Sequence, residues 1–208
     1  MSSSPGRRVP KQARARAKVD KILTAAREVL LAGGPEGFNT NLIAKRAGVG
    51  IGSLYEYFPN KQAIVHRMIE DLSAAETDEV MTQLARVEDA PIAELVGAVV
   101  KLVASLYQGN HQLYRGLWAL SATPRSIGVR PAEQAILAKT QQLLEPHAHE
   151  LAIDNVELVS FTVFHLIESL SEQMAGAAAS RFGPAGPAEI VKVVLRYLGV
   201  PTAAATAI

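Results

Sequence analysis

The chain has 208 residues, 49% of them apolar, which is ample for a buried core and argues against global disorder. It contains no cysteine, which excludes a disulfide framework and thiol chemistry and fits a reducing cytoplasm. The net charge of +1 conceals an asymmetry: residues 1–70 hold 12 Lys/Arg against 5 Asp/Glu, a net of +7, and residues 71–208 hold 9 against 15, a net of −6. A basic front half suits contact with a polyanion.

Residues 1–16 are rich in Ser, Pro, Gly, Arg and Lys without periodicity, and are expected to form a flexible basic arm. Arg7, Arg8, Arg14 and Arg16 can meet phosphates or a minor groove there, with a solvated tail that makes no defined contact as the alternative. The start, Met-Ser-Ser-Ser-Pro-Gly-Arg-Arg, lacks the apolar stretch of a secretory signal. Apolar runs are broken by charge short of the ~20 residues of a membrane span. No membrane partner is therefore expected.

A first helix is expected from about Arg16 to Ala32, with Val19, Ile22, Leu23, Ala26, Val29 and Leu30 on one face and Gly33-Gly34-Pro35 ending it. Phe38 is a core anchor. Asn39 or Thr40 caps a second helix that ends at Ala47, and a third spans about Ile51 to Phe58. Pro59 stops the third, and Asn60 caps a long fourth helix from Lys61 to about Val87. Further helices are expected over Pro91 to Tyr107, His111 to Leu120, Ala132 to His147, Asn155 to Ala179 and Ala188 to Leu198. A loop should occupy Thr123 to Pro131, and Gly183-Pro184-Ala185-Gly186-Pro187 marks a break. No strand pattern or internal repeat is visible, so the expected fold class is all-α.

Residues 40–61 carry the most information. Two short helices are joined at Gly48, which supplies the backbone freedom of a tight turn. Gly50, Gly52 and Ser53 keep the front of the second small, as entry into a major groove about 12 Å wide requires. Tyr55 and Tyr57 carry hydroxyls that can reach phosphate oxygens, although the Tyr55 ring has an alternative place in the core. Lys61 begins a helix, where free N–H groups and the dipole also favour a phosphate.

The string Ile43-Ala44, Ala47-Gly48-Val49, Gly52-Ser53-Leu54-Tyr55, Tyr57-Phe58 and Lys61 resembles the DNA-binding domain of the tetracycline-repressor (TetR) family across roughly residues 17–70. The resemblance implies an all-helical, homodimeric transcription regulator, often released from a pseudo-palindromic operator by a small effector. It implies three segments: an arm at 1–16, a helix-turn-helix domain at 17–62, and a helical effector-binding and dimerisation domain at 63–208. It sets Ile51, Gly52, Ser53 and Glu56 against base edges and Tyr55, Tyr57 and Lys61 against the backbone. Asn39, Thr40 and Gly50 complete the DNA-facing set. Two positions depart from the family pattern: Gly50 stands where relatives often carry serine, and Glu56 puts an acid on the DNA face. Glu56 can accept a hydrogen bond from cytosine N4 or simply weaken binding by repulsion.

By the same resemblance, the last two helices should pair with those of a second copy. Phe161, Phe164, Leu170, Met174, Val194 and Leu195 are the expected dimer residues, with ordinary core as the alternative. Polar and aromatic groups on otherwise apolar helices are the effector candidates: Tyr107, His111, Tyr114, Trp118, His165 and Glu168. Trp118 and Tyr114 are four apart and share a helix face, which suits a largely apolar effector. A variant of this reading keeps DNA binding but places control in a protein partner. Enzyme readings have little to stand on. His147-Ala-His149-Glu150 is the one cluster with metal-ligand residue types, and its spacing chelates poorly on a helix. No nucleophile elbow, Walker sequence or dinucleotide fingerprint is present, so neither a cofactor nor an enzyme is expected.

Overall fold

A computed structural model describes residues 11–121, 131–149, 151 and 153–200. The expected arm up to residue 10 and the expected loop at 123–130 lie outside the described residues. Among those described, every regular element is helical: α1 (Lys11–Gly37), α2 (Thr40–Ala47), α3 (Ile51–Tyr57), α4 (Lys61–Arg86), α5 (Ile92–Leu120), α6 (Pro131–Leu144), α7 (Val156–Gln173), α8 (Ala177–Phe182) and α9 (Ala185–Tyr197). A single 3-10 turn, Glu145–His147, follows α6.

The start of α1 differs from expectation, because residues 11–16 are its first turns rather than part of an irregular arm. Gln12, Ala13, Arg14, Ala15, Arg16, Ala17 and Lys18 are all sound helix formers, so residues 11–18 can join the helix. At the other end, Gly34 leaves helical space (φ 62°, ψ −171°), and Pro35–Gly37 add a short further turn. Asn39, Asn60 and Asn155 cap α2, α4 and α7. Each side-chain oxygen accepts a backbone N–H three residues on, at 2.9 Å.

The last helix begins at Ala185, inside the expected break at 183–187, because proline is tolerated in a first turn. Two other expected boundaries were wrong, for opposite reasons. The sequence around Gly109-Asn110 reads as a break, yet α5 runs through it. Glycine inside a helix costs about 1 kcal/mol. The buried Leu95, Val96, Val100 and Ala104 before it and Leu113 and Leu117 after it outweigh that cost. Conversely, the expected helix over 155–179 ends at Gln173 and resumes as α8. Gly176 takes φ 64°, and a Cβ there would fall 2.1 Å from His111 Nε2. The imidazole of α5 occupies the space a side chain would need.

By its contacts the chain divides into two compact units. The first holds the residues up to Glu70 together with the end of α5 from Leu113. Its core joins Ile22, Ala26, Val29 and Leu30 of α1 to Phe38, Ile43, Leu54, Phe58, Ile64 and Val65, with Leu117 of α5. Gly116 permits a close approach here, since a Cβ would lie 2.8 Å from Leu30 Cδ1. The second unit holds Asp71–Gln112 and the later helices. Ala93, Val96 and Val100 of α5 meet Leu144, Val163, Ile167, Ile190, Val194, Leu195 and Leu198 in one cluster. Val80, Leu84, Leu95 and Leu143 form another. The division falls inside α4, eight residues beyond the 62/63 boundary drawn from the sequence.

Among the described residues, α5 alone is long and apolar enough to cross a membrane by length and composition, contrary to the expectation that no segment would qualify. Its buried residues, among them Leu95, Val96, Val100, Ala104, Leu113, Leu117 and Leu120, belong to the cores of the two units.

Candidate nucleic-acid interface

The turn between α2 and α3 is built around Gly48, at φ 66° and ψ 33°. Its N–H bonds back to the carbonyls of Ala44 and Lys45, and Val49 N–H reaches the Ala44 carbonyl at 3.1 Å. A left-handed residue closing a helix in this way is the usual role of glycine. Ile43 and Ala44 on α2 and Leu54 on α3 are buried, and α2 packs against both α1 and α3. An Arg46–Glu28 ion pair ties α2 to α1 at the surface.

This leaves the outer side of α3 bare. Ile51, Gly52 and Glu56 are exposed and Ser53 is half-exposed. Gly50 and Gly52 lack left-handed φ values, and a Cβ at either would meet nothing within 4 Å. No internal contact therefore keeps these positions without side chains. A bare front serves only something that approaches from outside, as a groove wall does.

Hydroxyls flank that front. Thr40 Oγ1 and Tyr55 Oη lie 3.0 Å apart, joining the first turn of α2 to α3. Tyr55 is 47% exposed, so its ring is a surface group and its core alternative does not hold. Tyr57 is half-buried. Asn39 has its side chain engaged at 2.9 Å in the α2 cap, which orients Thr40. Lys61 is exposed at the first position of α4, beside the N–H groups of that helix start. Of the residues expected to touch DNA, Gly50, Ile51, Gly52, Tyr55, Glu56 and Lys61 are exposed, and Thr40, Ser53 and Tyr57 are half-buried. Arg46 belongs to the scaffold of that face, and only the tertiary packing against Glu28 reveals it.

The six expected effector residues are divided between the two units. Tyr114 and Trp118 belong to the first, with ring centroids 6.5 Å apart and nearly parallel planes. Tyr107, His111, His165 and Glu168 belong to the second. There Tyr107 Oη donates to Glu168 Oε1 at 3.1 Å, and His165 Nδ1 lies 3.6 Å from Glu168 Oε2. The rings of Phe161 and Phe164 meet His165 edge-on, at 4.2 and 4.9 Å between centroids. His111 is held against Gly176.

The expected dimer residues separate into buried and exposed groups. Val194 and Leu195 are wholly buried in the core of their own unit, and Leu170 and Met174 pack against the same core. On α9 the stripe Ile190, Val194, Leu195 and Leu198 turns inward, so a residue one position away turns out. Val193 and Tyr197 of α9 and Leu158 and Phe161 of α7 are the exposed large apolar groups there. Phe164 is half-buried. Among the described residues, no group of three or more His, Asp or Glu is placed to hold a metal ion. His147 closes the 3-10 turn and His149 is exposed, while Glu150 lies outside the described residues.

Comparison with known proteins agrees with this architecture. The family of bacterial regulatory proteins of the tetR type matches residues 22–68, and the tetracyclin repressor-like C-terminal domain matches residues 91–198. No curated protein matches the chain at a significant level. Solved structures do. A TetR-family transcriptional regulator from Pectobacterium atrosepticum is 14% identical, with a TM-score of 0.67 over 91% of this chain and 96% of that one. The transcriptional regulator FadR from Bacillus subtilis, in complex with stearoyl-CoA, is 21% identical, with a TM-score of 0.58 over 86% of this chain and 96% of that one. RolR in complex with resorcinol is 16% identical, with a TM-score of 0.57 over 94% of each chain. At these identities the likeness is one of fold. The two matched domains span most of the sequence, and the chain belongs to the TetR family of bacterial transcription regulators.

Proposed function

We propose that the protein is a homodimeric repressor that reads a pseudo-palindromic operator with two copies of α3 and releases it when a small, largely apolar effector binds the second unit. The observation that carries the DNA-reading part is the bare front of α3, with Gly50 and Gly52 free of any internal reason to be glycine and the Thr40–Tyr55 hydroxyl pair beside them. Ile51, Gly52, Ser53 and Glu56 face bases in this reading. Thr40, Tyr55, Tyr57 and Lys61 hold phosphates, which fixes register without reading sequence. The protein works where the DNA is, in the cytoplasm.

The dimer contact is assigned to the exposed Leu158, Phe161, Val193 and Tyr197, with Phe164 beside them. Four large apolar groups left in solvent on two neighbouring helices favour burial against a second copy. The effector is assigned to Tyr107, His165 and Glu168, three polar groups brought together between the otherwise apolar α5 and α7. The solved complexes of FadR with stearoyl-CoA and of RolR with resorcinol support an effector with an apolar body. Repression then follows as a shift between two head spacings, which requires the effector to bind one of them better.

Selection of sites from random duplexes by the full-length protein tests the core of this reading. A selected site with two related half-sites, bound by two chains, is the expected result. Binding that does not prefer any sequence over scrambled duplex would overturn it.

A further inference from the structure

We propose that Ile51 reads the 5-methyl group of a thymine, so that each half-site is selected in part by an apolar contact in the major groove. This rests on the DNA-reading role assigned to α3 above, and it names the base that one side chain of that helix recognises.

Ile51 is the first residue of α3, and a glycine stands on either side of it. A Cβ at Gly50 or Gly52 would meet nothing within 4 Å, so the space beside Ile51 is open. Between Val49 and Ser53 the isoleucine is therefore the one side chain that projects from the backbone. It is 40% exposed, whereas Leu54, the next apolar residue of the helix, has no exposed surface. Leu54 already supplies the buried anchor of α3. A branched Cβ restricts χ1, so the isoleucine is a stiff knob before anything binds. Less side-chain freedom is then lost on contact than a long, unbranched side chain would lose.

What such a group can read is narrow. It has neither a donor nor an acceptor, so the hydrogen-bonding pattern of the bases is closed to it. Of the groups that the four bases present in the major groove, the thymine 5-methyl is the apolar one. The rest of α3 places Ile51 on the matching side. Tyr55 follows it by four and shares its face of the helix. Tyr55 is exposed as well, and its hydroxyl lies 3.0 Å from Thr40 Oγ1. That hydroxyl pair is assigned above to phosphates. C5 is the edge of a pyrimidine nearest its own strand's backbone, so a thymine methyl lies beside the phosphates that this face would hold. Glu56, the acid of the same front, lies about 140° round the helix from Ile51 at about 100° per residue, so no carboxylate competes for this face.

The test uses the full chain and the duplex selected from random sequence. Each thymine of one half-site is replaced in turn by deoxyuridine, which removes the methyl and keeps every hydrogen-bonding group. At one position wild type should bind about fourfold more weakly, the effect of about one buried carbon. Ile51→Ala should bind the unmodified duplex more weakly than wild type, and deoxyuridine at that position should cost it nothing further, since the two changes remove the same contact. With cytosine at that position, adding a 5-methyl should tighten binding by wild type about fourfold and leave Ile51→Ala unchanged. Ile51→Val keeps the branched Cβ and should keep most of the deoxyuridine loss. Alanine favours helix, and an unchanged urea midpoint for Ile51→Ala confirms that α3 still folds. The proposal is overturned by a selected half-site without thymine, or by a wild type indifferent to every methyl removed. It is overturned equally if Ile51→Ala loses as much as wild type at each thymine. Failure of the underlying reading shows separately, as a wild type that does not distinguish the selected duplex from a scrambled one.

Discussion

Leu195 and Phe161 separate the core of the second unit from its proposed dimer face. Leu195 has no exposed surface and packs with Ile167, Ile190 and Val194. Truncation to alanine removes three carbons from a closed core, at a cost of about 3 kcal/mol within a range of 2–5. With a urea m-value of about 2 kcal/mol per molar, the midpoint should fall by about 1.5 M, with m unchanged. Phe161 is 47% exposed, and its ring meets that of His165 at 4.2 Å between centroids. Phe161→Ala should leave a dilute, monomeric sample within about 0.5 kcal/mol of wild type, as surface changes usually do. The assay is urea unfolding at several protein concentrations, paired with sedimentation. Unfolding linked to dissociation has a midpoint that rises with concentration. Leu195→Ala should lower the whole line in parallel, whereas Phe161→Ala should flatten it and reduce the dimer fraction. A Leu195→Ala chain with wild-type stability but fewer dimers would refute the assignment of this residue to the core and the reasoning built on it.

Lys61→Ala should weaken binding to every duplex alike and reduce the salt slope by about 0.9, read by fluorescence anisotropy at several salt concentrations. A loss confined to one sequence would contradict a phosphate role. Glu56→Gln should instead change which base is preferred at one position of each half-site, by roughly 1–3 kcal/mol in competition between operator variants. An unchanged preference would mean that Glu56 points aside. Gly176→Ala should destabilise the second unit, because left-handed φ costs about 1–2 kcal/mol for a residue with a Cβ and the His111 ring must move as well. A thermal midpoint unchanged from wild type would show that His111 swings away freely. Ser171 Oγ is buried without a hydrogen-bond partner, so Ser171→Ala should raise stability by about 1 kcal/mol, measured by urea unfolding. A destabilised variant would reveal a partner for the hydroxyl.

The sequence alone determined what depends on local chemistry. Gly48 marks a left-handed turn because only glycine takes that φ cheaply, and Asn39, Asn60 and Asn155 mark helix starts because their side chains satisfy orphaned N–H groups. The spacing of Ile22, Ala26, Val29 and Leu30 announces the buried face of α1, and the small, polar front of α3 was legible from Gly50, Gly52 and Ser53. Tertiary structure decided whatever depends on a neighbour distant in sequence. Gly109 looked like a break and is not one, because burial on both sides outweighs a cost of about 1 kcal/mol. The alanines around Gly176 looked like continuous helix, yet the chain breaks there because His111 occupies the space. On α9 two apolar stripes lie one residue apart, and periodicity alone does not say which turns inward. Contact with α5 and α7 decides that Val194 and Leu195 are core while Val193 and Tyr197 stay in solvent. The Arg46–Glu28 pair, eighteen residues apart, likewise exists only because α2 folds back on α1.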